Sequence, residues 1–293
     1  ELVFISLIQE GHILFDSVPG TGKTVLSKAV AGTVDGKFSR IQFTPDVLPT
    51  DITGMNMYNP KTQSFDLRMG PVNTNVLLAD EINRATPRTQ SALLEVMEER
   101  QVTIDGDRVE LDDLFIVLAT QNPIESRQGT FDLPEAQMDR FLMKITLSYP
   151  ERNEELMMLD MHKGKKTVTV NPVFTRKEII MLREEAAEIR INDAVKEYII
   201  DIVQMTRDHK HTALGVSPRG TLGLMRAAMG VALINERDYV TPEDIKYAAP
   251  YVLAHRVVLN IEGMTLTTGE ELIQDILNEV PVPVEFGVSR DEV

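Results

Sequence analysis

The segment Asp16-Ser17-Val18-Pro19-Gly20-Thr21-Gly22-Lys23-Thr24 constrains this chain more than any other stretch. It follows the apolar run 13–15 and leads into Val25-Leu26-Ser27-Lys28-Ala29-Val30, which reads as helix. Strand, glycine-rich loop and helix in that order make a phosphate cradle. Glycines let backbone N–H groups turn inward, and the helix N-terminus adds positive dipole. Lys23 reaches terminal phosphates, and the Thr24 hydroxyl can ligate Mg²⁺. One position departs from G-x-x-x-x-G-K-[ST]: Ser17 stands where the first glycine belongs. Gly-Lys-Thr alone recurs by chance in roughly one chain in ten of this length. The loop therefore needs support from elsewhere in the chain.

The five runs 13–15, 40–43, 76–79, 115–119 and 143–147 are short, apolar and separated by helix-like stretches. That alternation predicts parallel strands buried on both faces, hence a three-layer α/β sheet over residues 1–150. Two hairpins are expected as insertions, at 57–68 around Asn59-Pro60-Lys61 and at 101–111 around Asp105-Gly106. Their alternation gives each at most one face to bury. They are expected to serve as client or pore elements, with 104–108 replaceable by a Gly-Ser turn. After Tyr149-Pro150 the strand signal largely disappears. Thr175 with Glu178, Thr241 with Asp244, and Ser217-Pro218-Arg219 read as helix starts. Residues 151–293 are therefore expected to form a helical domain.

Composition bounds the chemistry. With 293 residues, 43% of them hydrophobic and 26% charged, the chain can bury a sizeable core. The absence of cysteine removes disulfides, thiolate metal sites and cysteine nucleophiles. Of five histidines only His209 and His211 lie close, at a spacing that puts them on different faces of a helix, so no structural metal is expected. A formal charge of −15 argues against a nucleic-acid-binding surface. No apolar run reaches a membrane span and no signal peptide is visible, so a soluble cytoplasmic protein is expected. Because the chain opens at Glu1 rather than Met, residues upstream of it are expected to be missing.

Val76-Leu77-Leu78-Ala79-Asp80-Glu81 is an apolar strand ending in two carboxylates. Such a strand delivers them to the sheet edge that carries the phosphate loop, where Asp80 can hold Mg²⁺ and Glu81 can act as general base on water. Alternatively the strand simply ends in solvent at two acids. Asn122, after the run 115–119, can orient the water, or Asn122-Pro123 can open a turn. Arg140 has the guanidinium fork suited to transition-state phosphate charge, or it pairs with its neighbour Asp139 at the surface. Arg219 sits against a helix dipole, which favours a functional reason for it over an exposed first-turn residue.

Together the segments 17–24, 77–84, 119–123, 133–141 and 217–219 resemble the MoxR family of AAA+ ATPases, and 41–46 and 93–100 are similar to that family's connecting segments. The resemblance covers nearly the whole chain. It implies a P-loop NTPase core followed by an all-α lid, with ATP and Mg²⁺ as ligands. It makes Val18, Pro19, Gly20, Thr21, Gly22, Lys23, Thr24 and Val25 the Walker A cradle, and Asp80 and Glu81 the Walker B pair. Thr24 and Asp80 are the implied metal positions. Asn122 is implied as sensor 1, Arg140 as arginine finger and Arg219 as sensor 2. The hairpins match the helix-2 insert and pre-sensor-1 hairpin of the branch shared with magnesium chelatase. A homo-oligomeric ring, most simply a hexamer, is implied, acting as a chaperone-like remodeller in protein maturation, metal insertion or complex assembly. A client protein and a von Willebrand factor A domain partner go with it. The competing expectations are a DNA-dependent translocase and a non-catalytic nucleotide-binding scaffold.

Overall fold

The computed structural model describes residues 1–17, 20–122, 130–162 and 170–283, the side chains of 161 and 162 excepted. The chain divides into two compact units, one of residues 6–183 and one of residues 1–5 with the chain from Glu184 onward. It opens in a helix, α1 (Leu2–Ile8). There follow β1 (Ile13–Ser17), α2 (Lys23–Thr33), β2 (Phe38–Gln42), α3 (Pro49–Thr53), β3 (Gly54–Asn59), β4 (Ser64–Met69) and β5 (Val76–Asp80). Next come α4 (Pro87–Glu99), β6 (Gln101–Ile104), β7 (Asp107–Glu110), β8 (Ile116–Gln121), α5 (Glu135–Met138), β9 (Met143–Leu147) and α6 (Arg152–His162).

Five of these strands form one parallel sheet in the order β2-β5-β8-β1-β9. They coincide with the five apolar runs read from the sequence. Every residue of β5 is buried, and so is β8 from Ile116 to Thr120. Successive side chains of a strand face opposite ways, so unbroken burial means that both faces of the sheet are covered. One face packs Leu14, Leu77, Ala79, Val117 and Ala119 against Leu93, Leu94 and Met97 of α4. Parallel pairing sends the C-terminal ends of β1, β2, β5 and β8 to the same edge. Residues 17, 20–24, 42, 80–81 and 120–122 therefore meet there.

Both insertions are hairpins. In β3–β4 the register runs from Gly54↔Met69 to Asn59↔Ser64. Gly54 has φ +109, and a Cβ there would lie 2.3 Å from the Arg68 carbonyl oxygen, so only glycine lets the strands approach. Met57, Tyr58, Phe65 and Leu67 of this hairpin are exposed. In β6–β7 the turn residues Asp105 and Gly106 both have positive φ, 51 and 97, as a two-residue hairpin turn requires. The Asn56 side-chain amide donates to Asp105 Oδ2 at 2.9 Å, which links the two hairpins. One expectation is corrected here. Ile104 is 4% exposed and belongs to the core cluster with Val102, so 104–108 is not a freely exchangeable tip.

The helical part comprises α7 (Arg176–Ala187), α8 (Asp193–Asp208), β10 (Thr212–Leu214), α9 (Pro218–Ile234), α10 (Pro242–Leu253), β11 (Val258–Leu259), α11 (Gly263–Leu266) and α12 (Gly269–Glu279). The three expected caps are present. The Glu178 carboxylate accepts from Thr175 N–H at 2.7 Å, and these bonds hold it below the usual carboxylate range. Ser217 Oγ accepts from Gly220 N–H, and Thr241 and Asp244 form a capping box. Two details differ from the sequence reading. A short antiparallel ribbon, β10–β11, interrupts the helices. Helix α8 ends at Asp208, so His209 and His211 lie beyond it with ring centroids 5.4 Å apart, rather than on two faces of a helix.

The units part within α7, at Arg183/Glu184, well beyond the 150/151 position expected from the loss of strand signal. The reason lies in tertiary contacts. Val173 and Phe174 N–H both donate to the Thr33 carbonyl at 2.8 and 3.0 Å. Arg176 pairs with Asp112 at 2.5 Å, and Arg183 pairs with Glu10 at 2.9 Å while donating to the Asp113 carbonyl at 2.8 Å. Burial pulls the Arg183 pKa below the usual arginine value, with the Glu10 carboxylate opposing.

Candidate nucleotide site

Sequence at the end of β1 dictates the loop. Gly20 has φ +88 and Gly22 φ +79, values that cost an L side chain about 1–2 kcal/mol. Gly22 is the N-cap of α2 and offers no side chain to the first helical amides, so these remain directed at the loop. Ser17, at the end of β1, is 2% exposed and its Oγ has no hydrogen-bond partner among the described residues. Val25 in the first turn of α2 is 72% exposed. Val18 and Pro19 lie outside the described residues. Uncapped amides, two left-handed glycines and an orphaned hydroxyl suit a polyanion and leave no role for a packed side chain.

The carboxylates stand beside this loop on the neighbouring strands. Asp80 is 6% exposed, and Lys23 Nζ lies 3.8 Å from its Oδ1. Thr120 Oγ1, on β8, donates to Asp80 Oδ1 at 2.7 Å. The same oxygen accepts from Glu81 N–H at 2.8 Å. On the other side, Arg40 Nη2 of β2 donates to Asp80 Oδ2 at 2.6 Å. Glu81 has left-handed backbone angles, φ 58 and ψ 51, which cost a non-glycine residue about 1–3 kcal/mol. The Thr120 bond supports that conformation and turns the Glu81 side chain away from the strand axis. Its Oε2 then accepts from Gln42 Nε2 at 2.8 Å and from Arg84 Nε at 3.1 Å.

Of the sequence-derived candidates, Lys23, Asp80 and Glu81 are brought together, and Thr24 follows Lys23 in the first turn of α2. Asn122 directly follows β8 and is 3% exposed. Its neighbour Gln121 donates to Asp16 Oδ1 at 2.5 Å, and Lys144 pairs with Asp16 Oδ2 at 2.5 Å. Arg140 is turned elsewhere. Its Nη1 donates to the Leu94 carbonyl of α4 at 2.7 Å rather than to Asp139 or to the carboxylate cluster. Arg219 belongs to the other compact unit, exposed in the first turn of α9. Thr120, Gln42, Arg40 and Arg84 were not singled out from sequence. For Thr120, Gln42 and Arg40 the signal was present, since β2 and β8 end in polar residues and flank β5, but it needs the sheet order to be read. Arg84 lies in the turn that follows β5.

The chain matches a family profile described as "ATPase family associated with various cellular activities (AAA)" over residues 12–143, and one described as "AAA lid domain" over residues 204–276. It is 48% identical to the uncharacterized protein YeaC of Bacillus subtilis, over 99% of this chain and 91% of that one. It is 41% identical to Chaperone MoxR1 of Mycobacterium tuberculosis, over 97% of this chain and 77% of the other. The chain belongs to the MoxR family of AAA+ ATPases. Protein MoxR of Paracoccus denitrificans is 30% identical over 96% of this chain and 90% of its own. The crystal structure of a Cytophaga hutchinsonii protein, described as a candidate ATPase, superposes with a TM-score of 0.90 at 40% identity. That match covers 96% of this chain and 88% of the other. The parallel sheet, hairpin insertions and helical lid are thus those of a MoxR-type P-loop fold. Among the described residues no helix is long and apolar enough to cross a membrane.

Proposed function

We propose that this MoxR-family protein hydrolyses ATP with Mg²⁺ and uses the energy to remodel a client protein during maturation, metal insertion or complex assembly. The observation that carries the reading is the convergence of Lys23, Asp80, Thr120 and Glu81 beside an uncapped glycine loop. In this reading the amides of residues 18–25 and Lys23 cradle the phosphates of ATP. Thr24 and Asp80 hold Mg²⁺, which when bound neutralises phosphate charge. Glu81, fixed by Gln42 and Arg84, takes the proton of the attacking water, and Asn122 orients that water. Arg140 serves a neighbouring subunit's site in a ring of, most simply, six copies. Arg219 reports the nucleotide state from the lid.

The relative named Chaperone MoxR1 supports the chaperone part of this reading, in which the protein acts on a client in the cytoplasm with a von Willebrand factor A domain partner. A DNA-driven motor fits poorly with a net charge of −15 and with carboxylates, Asp105 and Asp107, at the β6–β7 tip. Phosphate release in Mg²⁺ and ATP tests the reading. The wild type is expected to turn over, and Glu81→Gln to lose on the order of 10²–10⁴-fold in rate. Equal rates in the two proteins overturn it.

A further inference from the structure

Arg40 is absent from the family-derived site, yet it makes the shortest hydrogen bond to Asp80. Arg40 and Gln42 are alternate residues of β2, so both project from the same face of the edge strand, next to β5. In the register, Gln42 stands opposite Asp80. Arg40 Nη2 carries two hydrogens. One goes to Asp80 Oδ2 at 2.6 Å and the other to Gln42 Oε1 at 2.8 Å. The Gln42 amide then has its nitrogen end left for Glu81 Oε2, at 2.8 Å.

An amide has one accepting and one donating end, and the surroundings decide which faces which. With the guanidinium in place, flipping Gln42 would set its NH₂ against the Arg40 donors and its oxygen against the Glu81 carboxylate. Both contacts would be repulsive. Without the guanidinium, the accepting end loses its partner and either orientation becomes open to solvent. We propose that Arg40 is a positioning residue for hydrolysis: it fixes the Gln42 amide, and through it the Glu81 carboxylate, while anchoring itself on Asp80. It touches no reacting atom. The bland alternative is that Arg40 merely neutralises Asp80 as a half-exposed ion pair, its side chain being 45% exposed. A neutralising pair acts on the affinity for nucleotide and metal and owes nothing to Gln42. A positioning residue acts on turnover and only through Gln42. Arg40 also lines a cavity of about 640 Å³ with Met55, Met57 and Arg68. Arg40 is thus the member of the bridge that also borders the β3–β4 hairpin.

This inference rests on the ATPase reading, and a double-mutant cycle separates the two. Arg40→Met, which keeps the apolar stem, Gln42→Ala and the pair together are compared with wild type, Arg40→Gln serving as a second neutral replacement. Each single variant is expected to lower kcat on the order of 10²-fold, the cost of a misplaced catalytic group, and the double variant to be no slower than the slower single. The Kd of a non-hydrolysable ATP analogue is expected to stay within about threefold of wild type. A nucleotide-free crystal structure of Arg40→Met is expected to show Gln42 withdrawn from Glu81. Losses that multiply, a Kd that weakens in step with kcat, or Gln42 unmoved without Arg40 overturn the positioning role alone. ATP binding insensitive to Lys23→Ala overturns the ATPase reading beneath it.

Discussion

Thr120 is the side chain on which both acidic residues depend. Its hydroxyl gives its proton to Asp80 and takes one from the Glu81 backbone, at 2.7 and 2.8 Å. It is wholly buried, and Asp80 is 6% exposed, so little water is at hand to replace the hydroxyl. Thr120→Val keeps the shape, leaves Asp80 Oδ1 with only the Lys23 ammonium at 3.8 Å, and takes the side-chain acceptor from the strained Glu81 N–H. The expected cost is about 1–3 kcal/mol of stability, read from denaturant unfolding. Turnover is expected to fall on the order of 10²-fold as Glu81 loses its backbone support. Thr120→Ser, which keeps the hydroxyl, should recover most of both. Unchanged stability and rate in Thr120→Val would show the hydroxyl to be incidental. Lys23, Asp80 and Glu81 were legible in the sequence because the chemistry demands those residue types at those spacings. Thr120 and Gln42 were not, because their role comes from standing on the strands to either side of β5.

Among the elements, the five sheet strands were legible as short runs, most clearly the central β5 and β8, whose burial on both faces leaves little room for polar residues. The outer β2 and β9 are partly exposed and carry Arg40, Gln42 and Lys144. The hairpins were legible from their turns, Asp105-Gly106 above all, whose positive φ values need such residues. Helix α1 gave no signal. Its sequence LVFISLI is apolar almost all round, so it shows no helical period. The boundary at Arg183/Glu184 was also hidden, because it is set by contacts of Val173, Arg176 and Arg183 with distant residues. Burial refines the expectation for β6–β7. Val102 and Ile104 face the core, whereas Asp105, Gly106 and Asp107 are exposed. Ile104→Ala should therefore cost about 2–5 kcal/mol by chemical denaturation, as other buried truncations do. A turn exchange confined to 105–106 that keeps positive φ should cost well under 1 kcal/mol. Equal effects from the two changes would mean that the hairpin does not pack as described.

In the whole molecule, Arg140 is a proposed site residue that stands apart from the Lys23–Asp80–Glu81 cluster. Its guanidinium rests on the Leu94 carbonyl, with no contact to Lys23, Asp80 or Glu81 of its own chain. If it acts on a neighbour's ATP, Lys23→Ala subunits keep the finger and Arg140→Ala subunits keep the pocket. Mixing the two inactive variants is then expected to restore part of the ATPase activity, rising with protein concentration. Mixed rings that form without activity would assign Arg140 to its Leu94 contact alone. Beneath this lies the claim that the glycine loop holds ATP and the acidic pair hydrolyses it. Lys23 neutralises phosphate charge in the bound ground state, whereas Glu81 acts on the attacking water. Equilibrium binding of labelled ATP separates the two most directly. Wild type and Glu81→Gln are expected to bind with similar affinity, and Lys23→Ala to bind at least about tenfold more weakly. Lys23→Ala binding as tightly as wild type would contradict the account.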